Sequence, residues 1–339
     1  MIPFASVRGR SASDAQRALA DAGAAPAQFL AGGTNVIDLL KIGVVTPELL
    51  VDIGDLQEPL GIADAPDALR LGAGVRMAEA ADHPAIRRDW AVLHESLSQA
   101  ASQQIRQMAS LGGNVLQRTR CNYFRDVSWA CNKRTPGAGC SAFDGVNRRL
   151  AVLGVSEHCI ANYPGDFAIA LVALEAEVDT RLPDGSTRSF PFEQLHRSPG
   201  DTPHLETTLA PAELIVAFRV PRGPWLQRSL YLKVRDRESY DFALASAAVA
   251  IELQDGIVAS ARIGLGGLVA RPWRSREAEA ALVGQRLDEA SARAAAEAAF
   301  AAAVVREGTA FKPELGRRTL VRAVLEAARK DPIAQGTTP

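Results

Sequence analysis

All four cysteines of this 339-residue chain lie between Cys121 and Cys159; the remainder contains none. Around them, residues 117–165 are dense in Arg, Asn, Gly and Pro. They show neither the 3.6-residue period of a helix nor the alternation of a strand. An irregular stretch of that length is uncommon in a compact domain unless it has a task. The chain therefore has to fold as ordered units on either side of a thiol-bearing segment, and something has to hold that segment in place.

The flanks are readable. Ser13-Asp-Ala-Gln16 has the pattern of a capping box ahead of an Ala-rich helix. Gln28 to Leu30 reads as a short strand entering the turn Ala31-Gly32-Gly33-Thr34-Asn35. Val36 to Ile42 reads as a helix stopped by Gly43, and Leu49 to Ile53 as a buried strand. That order predicts a small α/β subdomain over 1–57. A second subdomain is expected over 58–224. It holds a strand at 68–72, helices at 77–82 and 85–101, the irregular segment, and a helix over 166–176. A hairpin over 178–190 turning at Asp184-Gly185 and a strand at 214–220 complete it. Beyond a connector at 221–224, strands near 230–234, 243–253 and 257–264 precede Ala-rich helices at 288–305 and 315–329. They predict a separate α+β domain over 225–330 with a three-stranded sheet, followed by a polar tail, 331–339. The fold class expected is α+β.

The balance of 38 Lys+Arg against 39 Asp+Glu argues against nucleic acid as the main partner, since phosphate binding needs a basic face. No apolar run approaches the ~20 residues of a membrane helix; the richest, 167–173, is far shorter. Four cysteines are too few for a disulfide-stapled secreted domain. The start, MIPFASVRGRSASDAQ, lacks a basic segment followed by an apolar one, so no signal peptide is expected in this chain.

Glycines at 32 and 33 let the backbone turn tightly and let a ligand approach the N–H groups. With a helix start behind them, those groups suit a diphosphate. Thr34 and Asn35 add side-chain hydrogen bonds. Ser110-Leu111-Gly112-Gly113-Asn114 repeats this chemistry further along. Either turn alone reads equally well as an ordinary turn with a cap. Neither is a G-x-G-x-x-G or a G-x-x-x-x-G-K-[ST] motif, so a Rossmann site and a P-loop are not supported.

The cysteine spacing is Cys121-x9-Cys131-x8-Cys140-x18-Cys159. It contains no C-x2–4-C knuckle of a zinc finger and no C-x2-C run of a bacterial ferredoxin. Four thiolates match the needs of a [4Fe–4S] cluster, whose charge Arg118, Arg120, Lys133 and Arg134 would offset. A four-cysteine zinc site, disulfides and unligated thiols remain open on spacing alone. The five histidines are scattered, and none is assigned a role.

The elements AGGTN and SLGGN, so spaced, resemble the FAD-binding medium subunit of the molybdenum hydroxylases, the xanthine dehydrogenase and carbon monoxide dehydrogenase family. The string QRTRCNYFRD…CNKRTPGAGCSAFDG…GVSEHCIANYPGDFA resembles its bacterial aldehyde oxidoreductase branch, whose FAD subunit holds an extra [4Fe–4S] cluster. YLKVRDRESYDFALAS resembles the start of the family's C-terminal domain. The likeness runs from about residue 2 to 328. It implies a two-part FAD-binding domain of the vanillyl-alcohol-oxidase (PCMH) type followed by the C-terminal domain.

The resemblance also implies roles. Gln28, Phe29, Leu30, Ala31, Gly32, Gly33, Thr34, Asn35 and Val36 would wrap the FAD diphosphate. Ser110, Gly113 and Asn114 would form the second phosphate and ribose contact, with Arg118 and Thr119 reaching the cofactor. Asp166 would hydrogen-bond the flavin or its ribityl side; a helix N-cap is its other reading. Ile215 would pack near the isoalloxazine, and Lys233 would stand at its polar edge. Cys121, Cys131, Cys140 and Cys159 would ligate the cluster.

The implied assembly is a heterotrimer. A molybdenum-cofactor large subunit would oxidise an aldehyde, and a small subunit with two [2Fe–2S] clusters would relay electrons. This chain would pass them from FAD to an external acceptor. No group for the substrate chemistry itself is found here. A non-redox scaffold with a four-cysteine zinc site and a stand-alone flavin reductase are the alternatives. The resemblance favours the periplasm, by export with a signal-bearing partner; the sequence without it reads as cytoplasmic.

Overall fold

The computed structural model describes residues 2–56 and 61–330. The expected subdomain boundary at 57/58 and the tail 331–339 lie outside the described residues. Leu50 and Val51, both fully buried, sit in the central strand of a small parallel sheet. In it β1 (Ala5–Arg8) and β2 (Ala27–Leu30) each pair with β3 (Leu49–Asp52). Parallel strands need crossovers, and the helices Ala12–Asp21 and Val36–Lys41 supply them. The first helix is capped by Ser11, whose hydroxyl accepts the Asp14 N–H at 3.1 Å. The cap is therefore not the expected Ser13, whose Oγ accepts from Arg181 instead.

The second sheet is antiparallel. It contains β4 (Ile62–Asp64), β5 (Ala68–Gly72), β6 (Glu177–Arg181), β7 (Thr187–Pro191) and β8 (Leu214–Pro221), in the order β4-β5-β8-β6-β7. The single helix expected over 85–101 is two, Pro84–Asp89 and Ala91–Ser98. They break at Trp90, whose backbone leaves the helical region while its indole is fully buried.

The C-terminal sheet has four strands, not the three expected: β9 (Ser229–Val234), β10 (Ala245–Gln254), β11 (Ile257–Gly266) and β12 (Trp273–Arg274). A two-residue strand is too short to show any period. The helix Arg276–Leu282 was likewise not read from the sequence. Ala247, Val249 and Ile251 of β10 face the helices Glu289–Phe300 and Lys312–Arg329, while Ala248 and Ala250 face the core built on the second sheet. Burial on both faces explains why β10 reads as a continuous apolar run.

The irregular segment contains one short helix, Asn122–Arg125. Its order comes from a small core of Cys121, Phe124, Cys131, Leu150, Cys159 and Ile160. Side chains stand in for a hydrogen-bond ladder. Arg134 donates to the Tyr123 and Phe124 carbonyls at 2.9 and 2.8 Å. Asn132 donates to the His158 carbonyl at 3.0 Å and accepts from Gly139 N–H at 2.8 Å. The density of Arg and Asn thus satisfies backbone groups that no strand partner reaches.

The helix Phe167–Ala173 is buried along its whole length and packs against β11. A Cβ at Gly264 would lie 2.5 Å from the Ile169 carbonyl oxygen, and one at Gly266 2.7 Å from the Ile169 side chain. Gly264→Val should therefore push this helix off the sheet. We expect about 1–3 kcal/mol of destabilisation, the usual cost of overpacking, read as a lowered denaturation midpoint. An unchanged midpoint would show that the close approach is not needed.

Candidate functional site

The two glycine turns pack on one another. A Cβ at Gly32 would fall 1.8 Å from the Met108 carbonyl oxygen, and one at Gly113 3.0 Å from Ser110 Oγ and 3.7 Å from Ala31 Cβ. Only glycine permits the first contact. Ser110 caps the short helix Leu111–Val115 by accepting the Gly113 N–H at 3.1 Å. Asn35 Oδ1 accepts the Arg118 N–H at 3.0 Å.

A cleft of about 290 Å³ opens beside this junction. Thr34, Asn35, Gly113 and Asn114 form one wall. Asp166 and the β9–β10 connection, through Arg237, Tyr240 and Phe242, form another. Asn35 Nδ2 and Asn114 Oδ1 are buried without a partner. An unmet buried donor or acceptor costs about 1–3 kcal/mol, so this wall is set for a polar ligand. Arg120 also lines the cleft, stacks over Phe242 at 5.2 Å and donates to Asp38 at 2.6 Å. Arg125 grips the same carboxylate at 2.6 and 2.9 Å. Its hydrogen bond is the chief reason that the Asp38 carboxyl lies below its ordinary range. Two guanidinium groups on one carboxylate leave this end of the cleft positive.

Asp166 precedes the 167–173 helix but does not cap it with its side chain. Its carboxylate accepts from the Tyr231 hydroxyl at 2.6 Å and from Lys233 Nζ at 2.7 Å. Lys233 also donates to the Gln99 carbonyl at 3.0 Å. Burial, and then the charge of Asp166, push the Tyr231 phenol well above its ordinary value, so it remains a donor.

Of the residues expected from sequence, Thr34, Asn35, Gly113, Asn114 and Asp166 line the cleft. Gln28, Phe29 and Leu30 lie in β2, with Ala31, Gly32, Gly33 and Val36 carrying the turn into the next helix. Arg118, Thr119, Ile215 and Lys233 are not among the residues that line the cleft. Arg118 bonds Glu206 at 2.6 and 2.8 Å and lies over the Phe124 ring. Thr119 donates to the Asn162 carbonyl and accepts the Cys121 N–H, bracing the thiol segment. Ile215 sits in β8 against the core. Lys233 stands behind Asp166. Sequence reasoning missed Gln117, Arg120, Arg237, Tyr240 and Phe242 as cleft residues. The charged and aromatic run Arg235-Asp-Arg-Glu-Ser-Tyr-Asp-Phe242 was the available signal.

The four thiols are free, and none forms a disulfide. Cys131 and Cys140 face each other across an antiparallel bridge, and Cys140 packs against the core that holds the other three. The backbone N–H of Ala161 donates to Cys159 Sγ at 3.5 Å. Burial raises the Cys121 thiol to about 12 and Cys159 to about 11. Among the described residues, no group of three or more His, Cys, Asp or Glu side chains is placed to hold a metal ion.

Residues 2–223 match the family described as the FAD binding domain in molybdopterin dehydrogenase, and 230–327 the CO dehydrogenase flavoprotein C-terminal domain. The chain belongs to the FAD-binding medium subunits of the molybdenum hydroxylases. It is 45% identical over 302 residues to the aldehyde oxidoreductase FAD-binding subunit PaoB of Escherichia coli, covering 89% of this chain and 91% of that one. To the carbon monoxide dehydrogenase medium chain of Afipia carboxidovorans it is 27% identical over 333 residues, 96% and 98% of the two chains. The solved carbon monoxide dehydrogenase of Hydrogenophaga pseudoflava shares the fold, with a TM-score of 0.75 at 23% identity over 98% of this chain and 100% of that one. The unpartnered amide atoms and the glycine junction of this medium subunit fit the polar diphosphate and ribityl parts of FAD.

The cleft has a buried support. His196 Nε2 donates to the Val115 carbonyl at 2.9 Å, with Tyr163 edge-on at 4.9 Å. Burial lowers the imidazole from 6.5 to about 4. Folding therefore favours the neutral ring. Its stabilisation is complete above pH 6.5 and is lost as pH falls towards 4, by at most about 3 kcal/mol. Denaturant titrations from pH 7 to 4 should show that loss, and His196→Phe should flatten it. A parallel fall in both proteins would assign acid sensitivity elsewhere.

Gly32→Ala should abolish flavin retention, because its methyl group meets a backbone carbonyl. Gly74→Ala, whose Cβ meets nothing within 4 Å, should keep it. Flavin released on denaturation measures both; equal content would refute the junction.

Proposed function

We propose that this medium subunit is the FAD-bearing electron outlet of a molybdenum-dependent aldehyde oxidoreductase. Electrons would leave a molybdenum-cofactor large subunit, cross two [2Fe–2S] clusters of a small subunit, and pass through this chain to an external acceptor. The observation that carries the reading is the cleft at the glycine junction, with its unpartnered Asn35 and Asn114, in a chain so similar to PaoB. Bound FAD supplies a carrier that takes and releases electrons singly or in pairs. Asn35 and Asn114 would bind its phosphates and ribityl hydroxyls, and Arg120 would offset their charge. Asp166 would face the polar edge of the isoalloxazine. Tyr240 and Phe242 would limit water at the open side.

In this reading Cys121, Cys131, Cys140 and Cys159 hold a [4Fe–4S] cluster. Four free thiols gathered around one small core support it, with the Ala161 N–H donating to the Cys159 sulfur, since such hydrogen bonds tune cluster sulfurs. The four thiolates would hold the cluster, which would supply a one-electron carrier. Export with a signal-bearing partner would place the complex in the periplasm.

The visible spectrum of the anaerobically purified protein tests the reading. Flavin bands over a broad absorption that dithionite bleaches are expected. Cys131→Ser should remove that absorption and the acid-labile sulfide while flavin content stays within about twofold. Flavin bands without acid-labile sulfide would leave the FAD outlet and overturn the cluster. A protein that takes up neither cofactor on reconstitution would overturn both.

A further inference from the structure

Asp166 is the carboxylate on the cleft wall, and what governs it lies behind the wall. Tyr231 and Lys233 stand two apart on β9 and so project to the same face of the C-terminal sheet. Each donates to one oxygen of Asp166, at 2.6 and 2.7 Å, within the range of charge-assisted bonds. The phenol has a single proton, which it directs at the carboxylate. Ser246 Oγ, 2.9 Å from the phenol oxygen, completes its shell. Tyr231 is 2% exposed, Ser246 2% and Asp166 5%. No solvent competes there, and the low dielectric lets each dipole act at close to full strength.

Tyr231 is also fixed at its backbone. Its N–H donates to Glu95 Oε2 at 2.6 Å, and its carbonyl accepts from Gln99 Nε2 at 3.1 Å. Both partners belong to the FAD-binding domain. The hydroxyl is therefore held on Asp166 from three directions.

We propose that Tyr231 is a positioning residue for the flavin: by donating to Asp166 Oδ1 it sets how much negative charge the carboxylate presents to the cofactor, and so raises the flavin's reduction potential. This rests on the placement of Asp166 against the flavin proposed above. Reduction adds negative charge to the isoalloxazine, and an adjacent carboxylate opposes it. A donor on the far side of that carboxylate draws density away and relieves the opposition. Lys233 does the same through Oδ2 as a full charge. The tuning elements come from the C-terminal domain, although the flavin cleft is built mainly by the other one.

Tyr231→Phe keeps the ring and removes the donor. In the full-length chain loaded with FAD, spectroelectrochemical titration of the flavin band should show a lower midpoint potential. The expected loss is up to about tenfold in preference for reduced over oxidised flavin, which for two electrons is about 30 mV. Ser246→Ala should give a smaller fall of the same sign. Asp166→Asn should raise the potential and make Tyr231→Phe silent when the two are combined.

A wild-type potential in Tyr231→Phe, with Asp166→Asn shifted, would overturn the role of Tyr231 and leave the Asp166 contact standing. No shift in either would overturn the contact itself. If Tyr231→Phe does not retain flavin, Ser246→Ala decides: an unchanged potential there overturns the proposal.

Discussion

A buried carboxylate shared across the two domains holds the cleft together. Asp166 belongs to the FAD-binding domain, and both of its partners belong to the first strand of the C-terminal sheet. Taking a carboxylate and an ammonium out of water costs several kcal/mol per ion, and removing one partner leaves the other charge stranded. The arrangement persists only if the domains stay docked, so it also fixes where the β9–β10 connection falls. The close approach of the 167–173 helix to Gly264 and Gly266 serves the same end, because that helix carries Asp166 at its start. Arg274 and Arg262, which both bond Glu175, the latter at 2.9 Å, continue the seam.

Much of this was legible from residue order. Strand, glycine turn and short helix appear in sequence because period and turn chemistry are local properties. The apolar blocks around β5, β8 and β10 were visible for the same reason. Which side chains of the irregular segment reach the cleft was not. Arg118 and Arg120 are two apart in an irregular segment, and nothing local says which one turns inward. The fold sends Arg118 to Glu206 and Arg120 to Asp38 and Phe242. Strand alternation puts Lys233 on the face shared with Tyr231, where it donates to Asp166. The short edge strand β12 and the break at Trp90 were hidden because a two-residue pair and a single non-helical residue leave no period to detect.

The irregular segment joins these features. Its inner side is the thiol core, and its rim lines the cleft through Gln117, Arg120 and Pro164. Arg120 and Arg125 tie its start to the helix that follows the first glycine turn, through Asp38. Val152 and Tyr163 pair their N–H groups with the Leu268 and Val269 carbonyls just beyond β11. Arg148 and Arg149 grip Asp236 and Asp241 on the connection that carries Arg237, Tyr240 and Phe242. Exposed pairs of this kind contribute little singly. Here they act on one connection from one segment, and they anchor both of its ends. The conformation of the thiol segment and the shape of the cleft are therefore mechanically continuous. Whatever orders the four cysteines also sets the open side of the cleft.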